Sequence, residues 1–150
     1  MAERIWWAFW RRKGKPLKAI RDGLENFLEA GTRIPFALVA EDEGRICGNV
    51  LVIKNDESSR PHLTPWLAAL WVDETVRRQG IASALLDDAI RRTDLLGICQ
   101  LYLVARPALR NYYSRRGWEP IEDNVGDDHL TVHRYIMPGA PRSVPSTMRL

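Results

Sequence analysis

Arg77-Arg78-Gln79-Gly80-Ile81-Ala82 is the stretch of this chain best suited to chemistry, because it sets exposed backbone N–H groups between an apolar run and an amphipathic helix. Upstream, residues 65–72 (Pro-Trp-Leu-Ala-Ala-Leu-Trp-Val) form an apolar run of strand length. Downstream, Ile81, Leu85, Leu86, Ala89 and Ile90 recur at helical spacing, and Asp87, Asp88, Arg91 and Arg92 fall on the other side. The order read is strand, turn, helix. The first amides of a helix lack intrahelical partners and carry partial positive charge, so a phosphate or diphosphate is stabilised there by hydrogen bonds and dipole together. Gly80 has no side chain to block close approach, and Ala82 keeps the next contact small. A tight turn before a helix explains a glycine here equally well, so the surrounding elements decide the reading.

Those elements follow from periodicity. Residues 2–12 read as a Trp-rich helix that Gly14-Lys15-Pro16 breaks, and a second helix begins with Pro16 in its first turn. Leu17, Ile20, Leu24, Phe27 and Leu28 mark its apolar face, and Gly31 its end. Residues 36–40 and 46–53 are strand-like and joined through Glu41-Asp42-Glu43-Gly44, which has the composition of a hairpin turn, so they are expected to pair antiparallel. Residues 55–64 are polar, contain Pro61 and read as a loop. After the helix that follows Gly80, Gly97 ends the segment and residues 99–105 give another apolar strand. Strand, helix, strand at this spacing implies a right-handed parallel crossover. Pro107 starts a short helix through Arg116 that Gly117 caps, and residues 118–121 and 130–137 complete a last pair of strands. The expectation is one α/β (α+β) domain over residues 1–137, with a mixed, mostly antiparallel sheet around a central parallel βαβ crossover. Residues 138–150 have the composition of a flexible tail.

Composition narrows the function classes. With 150 residues, 45% of them hydrophobic, the chain has the size of one domain and a core to match. Lys and Arg number 22 against 19 Asp and Glu, but the basic clusters Arg11-Arg12-Lys13, Arg77-Arg78, Arg91-Arg92 and Arg115-Arg116 are short and dispersed. Most read as solvated helix faces, and nucleic acid is not an expected partner. Cys47 and Cys99 lie in apolar runs without the close Cys or His spacing of a zinc site, so both read as buried thiols and no metal is expected. The patch from Ile5 to Trp10 is too short for a membrane span and its basic residues mostly follow it, so the protein reads as cytoplasmic. The same aromatics beside Arg11, Arg12, Lys13 and Lys15 also suit a lipid surface, a use that competes with packing.

The spacing Arg-x-x-Gly-x-Ala from Arg77 to Ala82 resembles the pyrophosphate loop of the GNAT superfamily of N-acetyltransferases, and the element order over residues 2–137 is similar to that superfamily's fold. A second segment, Asn111-Tyr112-Tyr113-Ser114-Arg115-Arg116-Gly117-Trp118, is similar to the superfamily's Tyr-x-x-x-Gly-aromatic pattern. The resemblance implies acetyl-CoA as cosubstrate and Tyr113 as the acid beside its sulfur. It also implies main-chain contacts from Leu70, Trp71 and Val72 to the pantetheine arm, with their side chains mostly in the core. Arg77, Arg78, Gln79, Gly80, Ile81 and Ala82 would then offer amides to the pyrophosphate, with an Arg side chain adding charge-assisted contacts. The physical case for Tyr113 is that a phenol of pKa about 10 is protonated at neutral pH and can donate to a thiolate whose conjugate acid has a pKa of about 8.5. Packing of a short helix onto the sheet is the plainer use of Tyr112 and Tyr113.

Two departures from the superfamily pattern matter. Arg106 stands seven positions before Tyr113, where an asparagine is frequent; no role is assigned to it, and Asn111 has a different spacing. The superfamily generally has a strand ahead of the first helix, whereas the reading here begins at the helix. The edge at residues 36–40 is therefore expected to be covered by the C-terminal tail or by a second subunit, the latter making a homodimer.

The implied acceptor is an amine-bearing molecule of unspecified identity that attacks the thioester directly. An ammonium of pKa about 10.4 cannot attack until it loses a proton. Asp56, Glu57, His62 and Asp73, with His129 and His133 at the last strand, are available for this. Each reads more readily as an exposed or turn residue, and the sequence singles out none. Trp6, Trp7, Trp10 and the 55–64 loop are expected to line the acceptor side. The contrasting expectation is a noncatalytic acyl-CoA-binding or interaction module on the same fold, which the absent strand and Arg106 favour and Tyr113 opposes.

Overall fold

Apolar runs and turn residues resolve into six strands, β1 (Phe36–Asp42), β2 (Arg45–Ile53), β3 (Trp66–Val72), β4 (Gln100–Ala105), β5 (Glu119–Val125) and β6 (Leu130–Ile136), and two helices, α1 (Ile81–Leu95) and α2 (Arg110–Ser114). The structure, a computed structural model, describes residues 33–139. The helices expected over residues 2–12 and in the segment that follows Pro16, and the tail beyond Gly139, lie outside the described residues.

The strands form one sheet in the order β1-β2-β3-β4-β6-β5. Every neighbouring pair is antiparallel except β3 and β4, which run parallel as the crossover through α1 requires. The β1–β2 hairpin closes on Glu43 (φ 47°) and Gly44 (φ 77°), the pair of positive φ angles that matches a tight turn to strand twist. β1 forms one edge of the sheet, and among the described residues no strand pairs with its outer side.

The helical periodicity of α1 translates directly into burial. Leu85, Leu86 and Ala89 pack on one face of the sheet with Val50, Val52, Leu67, Leu101 and Leu103. On the other face Trp66, Tyr102, Val125 and Val132 form a smaller cluster. Gly48 on β2 permits the close seating of α1: a Cβ there would meet the Trp71 carbonyl oxygen at 3.0 Å, Leu85 Cδ1 at 3.2 Å and Ile81 Cγ2 at 3.3 Å. The start of α1 is thereby drawn against the end of β3.

Four expectations need correction. β5 runs to Val125, well past residue 121, because Glu122 and Val125 continue the pairing with β6. The helix expected from Pro107 through Arg116 divides into a 3-10 turn at Pro107–Leu109 and the short α2. Cys99 is exposed, since it sits in the turn ahead of β4 where the strand leaves the sheet's end; Cys47 is buried and donates to the Ala40 carbonyl. Of the basic clusters read mostly as solvated helix faces, Arg92 is half-buried, with its guanidinium 5.2 Å from the centre of the Phe36 ring.

Candidate active site

The site begins with a fault in the sheet. β3 and β4 are in register at one pair only, Trp66 with Tyr102, where the Tyr102 N–H donates to the Pro65 carbonyl at 3.0 Å. Past that pair, residues 68–72 of β3 have no strand partner on this side among the described residues. Unpaired backbone N–H and C=O groups inside a sheet are strong binding groups for an extended ligand. On its other side β3 carries a bulge. Ala68 faces Leu51 and Trp71 faces Asn49, which leaves Ala69 and Leu70 opposite Val50 alone. Ala69 takes a left-handed φ of 53°, unusual for a residue with a side chain. Asn49, fully buried, holds the bulge by donating its Nδ2–H to the Ala69 carbonyl at 2.7 Å. Its Oδ1 has no hydrogen-bond partner among the described residues. Ala69, Leu70 and Trp71 are half-exposed in mid-sheet while Val72 is buried, so the implied pantetheine contacts at Leu70, Trp71 and Val72 lie along the open edge.

Immediately after β3 the chain is pinned. Asp73 donates its N–H to the Cys47 carbonyl at 2.7 Å, caps a 3-10 turn (Glu74–Val76) by accepting from the Thr75 N–H, and pairs with Arg45 at 2.7 Å. The Thr75 N–H, Arg45 and the Thr75 hydroxyl together hold its carboxyl down to about 2. Arg77 folds back to donate its Nε–H to the Val72 carbonyl at 2.9 Å. Arg78 (φ 64°) and Gly80 (φ 82°) then turn the backbone twice through the left-handed region. Alternation of this kind presents successive N–H groups to one concave side. α1 begins at Ile81 with no side-chain cap and no acidic residue in its first turn. Among the described residues no Ser, Thr or Asp side chain satisfies the amides of its first turn.

Tyr113 is buried on α2, 7% exposed, and its ring stands edge-on to Tyr112 at 5.1 Å, near Trp118 at 6.3 Å and His133 at 5.5 Å. Burial pushes its phenol up to about 12, with Tyr112 adding and Arg116 opposing. Gly117 (φ 85°) makes the turn out of α2, and a Cβ there would press on the Tyr135 ring at 3.2 Å. Arg116 connects the two motifs. Its Nε and Nη2 donate to the Ser83 hydroxyl on the first turn of α1 at 3.3 and 3.1 Å, its Nη1 donates to the Tyr112 carbonyl at 3.1 Å, and its guanidinium stacks 3.7 Å from the Tyr112 ring centre.

The proton acceptors available from sequence scatter. Asp73 is committed to its turn, and its low pKa makes it a poor base. Glu57 accepts from Ser59, and His62 is exposed in the same loop. His129 is exposed in the β5–β6 turn against Asn124. His133 differs from its reading as an exposed or turn residue: it sits within β6 opposite Leu103, fully buried, and burial lowers its imidazole pKa. The 55–64 loop is tied to β5 by the Arg60–Glu122 ion pair. Arg106 is exposed ahead of the 3-10 turn that leads into α2. Sequence reading missed Asn49 and Arg116. A lone amide inside the apolar run at residues 46–53 signalled the first, and an arginine between a tyrosine pair and a Gly-Trp signalled the second. Among the described residues no three His, Cys, Asp or Glu side chains converge as metal ligands, and no helix is long and apolar enough to cross a membrane.

A mixed sheet that opens between its two parallel strands, with an uncapped helix start at the mouth and a buried tyrosine helix beside it, is the architecture of acyl-CoA-dependent acyl transfer. The chain belongs to the GNAT acetyltransferase family, whose domain matches residues 35–120 and so spans both motifs. Among solved structures it is similar to a ribosomal-protein-alanine N-acetyltransferase from Brucella melitensis, at 22% identity over 82% of this chain and 80% of that one, with a TM-score of 0.65. It is similar to an acyl-CoA N-acyltransferase from Pseudomonas aeruginosa, at 22% identity over 66% of each chain and a TM-score of 0.55. An N-acetylglutamate synthase from Neisseria gonorrhoeae, solved with coenzyme A and N-acetylglutamate, shares 16% identity over 77% of this chain and 27% of that one, with a TM-score of 0.60. Likeness at this identity speaks for the fold. No protein of curated function matches the chain in sequence.

Proposed function

We propose that this protein is a cytoplasmic N-acetyltransferase that moves the acetyl group of acetyl-CoA to a primary amine by direct attack. The observation that carries the reading is the open seam between β3 and β4, which ends at the uncapped start of α1. An extended pantetheine arm runs along the open edge at Leu70, Trp71 and Val72, and the diphosphate takes the amides of the 77–82 loop. Since the Arg77 side chain is engaged by Val72, Arg77 contributes its main chain. The coenzyme solved with the Neisseria synthase is consistent with this cosubstrate.

In the reaction the amine lone pair attacks the thioester carbon, the C–S bond breaks, and Tyr113 donates to the departing sulfur. The proton released by the attacking nitrogen returns through water to the phenolate. Magnitudes limit the role of Tyr113. A phenol near 12 facing a thiol near 8.5 makes full transfer uphill by several pKa units, on the order of 4–5 kcal/mol. The phenol therefore stabilises developing charge by hydrogen bonding and releases its proton only as the C–S bond breaks. Most of the rate enhancement comes from holding amine and thioester together.

The test is Tyr113→Phe, which keeps the ring that Trp118 and His133 pack against. Turnover of an amine found by acceptor screening is expected to fall by roughly 10²- to 10⁴-fold, with coenzyme affinity unchanged. Equal turnover would remove Tyr113 from the chemistry. Coenzyme binding without transfer to any amine would favour a noncatalytic acyl-CoA-binding module.

A further inference from the structure

Arg116 has a charge that its own surroundings do not balance. Arg45, Arg60, Arg77, Arg91, Arg110 and Arg134 each pair with a carboxylate. Arg116 is half-buried, yet among the described residues it donates only to neutral oxygens, the Ser83 hydroxyl and the Tyr112 carbonyl. A guanidinium has five N–H donors in a fixed fork. These contacts use Nε–H and one hydrogen on each terminal nitrogen, leaving one N–H free on both. The stack on Tyr112 at 3.7 Å and the hydrogen bonds at each end fix the plane of the fork, so it is oriented before any ligand arrives. Ser83, to which it is fastened, is the third residue of α1, whose first turn has neither a capping side chain nor an acidic residue. A fixed cation therefore stands beside a helix start that has no side-chain cap. Desolvating an unpaired guanidinium is costly, and an anion at that position offsets the cost.

We propose that Arg116 is a coenzyme-binding residue that supplies the side-chain charge on the diphosphate, a role the sequence motif assigns to the loop arginines. It also acts as a positioning residue for Tyr113, because the same guanidinium ties α2 to α1. The inference rests on the acetyl-CoA reading above and names the residue that recognises the anion. Arg77 donates its Nε–H to the Val72 carbonyl and faces the carboxylate of Glu74, whereas Arg116 has no carboxylate partner among the described residues and comes from the other motif, thirty-three positions away in sequence from Ser83.

The test measures dissociation constants of coenzyme A, 3′-dephospho-coenzyme A and pantetheine for the full chain by tryptophan fluorescence, in the wild type, Arg116→Gln and Arg116→Lys. The Gln variant is expected to lose roughly 10- to 100-fold in affinity for both phosphorylated ligands and to keep its affinity for pantetheine; Lys is expected to recover part of the loss. Equal weakening of all three ligands would show that Arg116 only props the helices, and no weakening would show that it does not meet the coenzyme. Either result overturns the proposal. A penalty that vanishes with the 3′-dephospho ligand would move the contact to the 3′-phosphate and overturn the diphosphate assignment. Thermal melts identify a variant that fails to fold, in which case Ser83→Ala, which frees the fork, is expected to show the same selective loss; equal affinities there would also contradict the proposal. Failure of the wild type to bind coenzyme A would instead sink the acetyl-CoA reading itself.

Discussion

At the start of β3, Trp66 is fully buried, donates its Nε1–H to the Leu63 carbonyl at 2.6 Å and lies 5.7 Å from the Tyr102 ring, while Arg60 and Glu122 pair across the same end of the sheet. At the finish of β3 the strand has lost its parallel neighbour, bulges at Ala69 and runs into a helix start whose amides have no cap. One end of the seam is satisfied by packing and hydrogen bonds; the other is where we propose that the coenzyme binds. The contrast teaches how a sheet can be split without coming apart: tight closure at one end anchors two strands that part toward the other. At the open end the local rules of capping and pairing are broken where the proposed coenzyme site needs them broken.

Trp66→Ala should have the largest effect on stability, about 3–5 kcal/mol, read as a lower urea midpoint, because it removes a large side chain from the closed end. A loss below about 1 kcal/mol would mean that the seam is anchored elsewhere. Asn49→Ala should cost less, about 1–3 kcal/mol for the uncovered Ala69 carbonyl, but should weaken coenzyme binding more than Trp66→Ala does, because it releases the bulge at the open end. If the two variants weakened coenzyme binding equally, the distinction between anchor and site would fail.

The elements of this fold follow from local pattern, and so does the placing of part of the candidate site. Gly80 and Ala82 after an apolar strand, the periodic face of α1, and Tyr113 ahead of Gly117-Trp118 are short-range signals, and they fall where the strand–helix–strand unit and the tyrosine helix form. What escaped sequence reading is long-range. The bulge at Ala69 depends on an amide twenty residues away, the parting of β3 and β4 on strand register, and the position of Arg116 on a hydroxyl in another helix. His133 looked like an ordinary polar residue because polarity alone does not reveal that its neighbours are Tyr113 and Leu103. Cys99 looked buried because its apolar run begins one residue before the strand does.

The central claim is that the amides ahead of and within the first turn of α1 hold the diphosphate of a coenzyme. Isothermal titration of the full chain with acetyl-CoA tests it most directly. The account predicts saturable one-to-one binding that loses most of its affinity when the ligand is cut back to pantetheine. Absence of binding, or equal affinity for the ligand without phosphates, would contradict it.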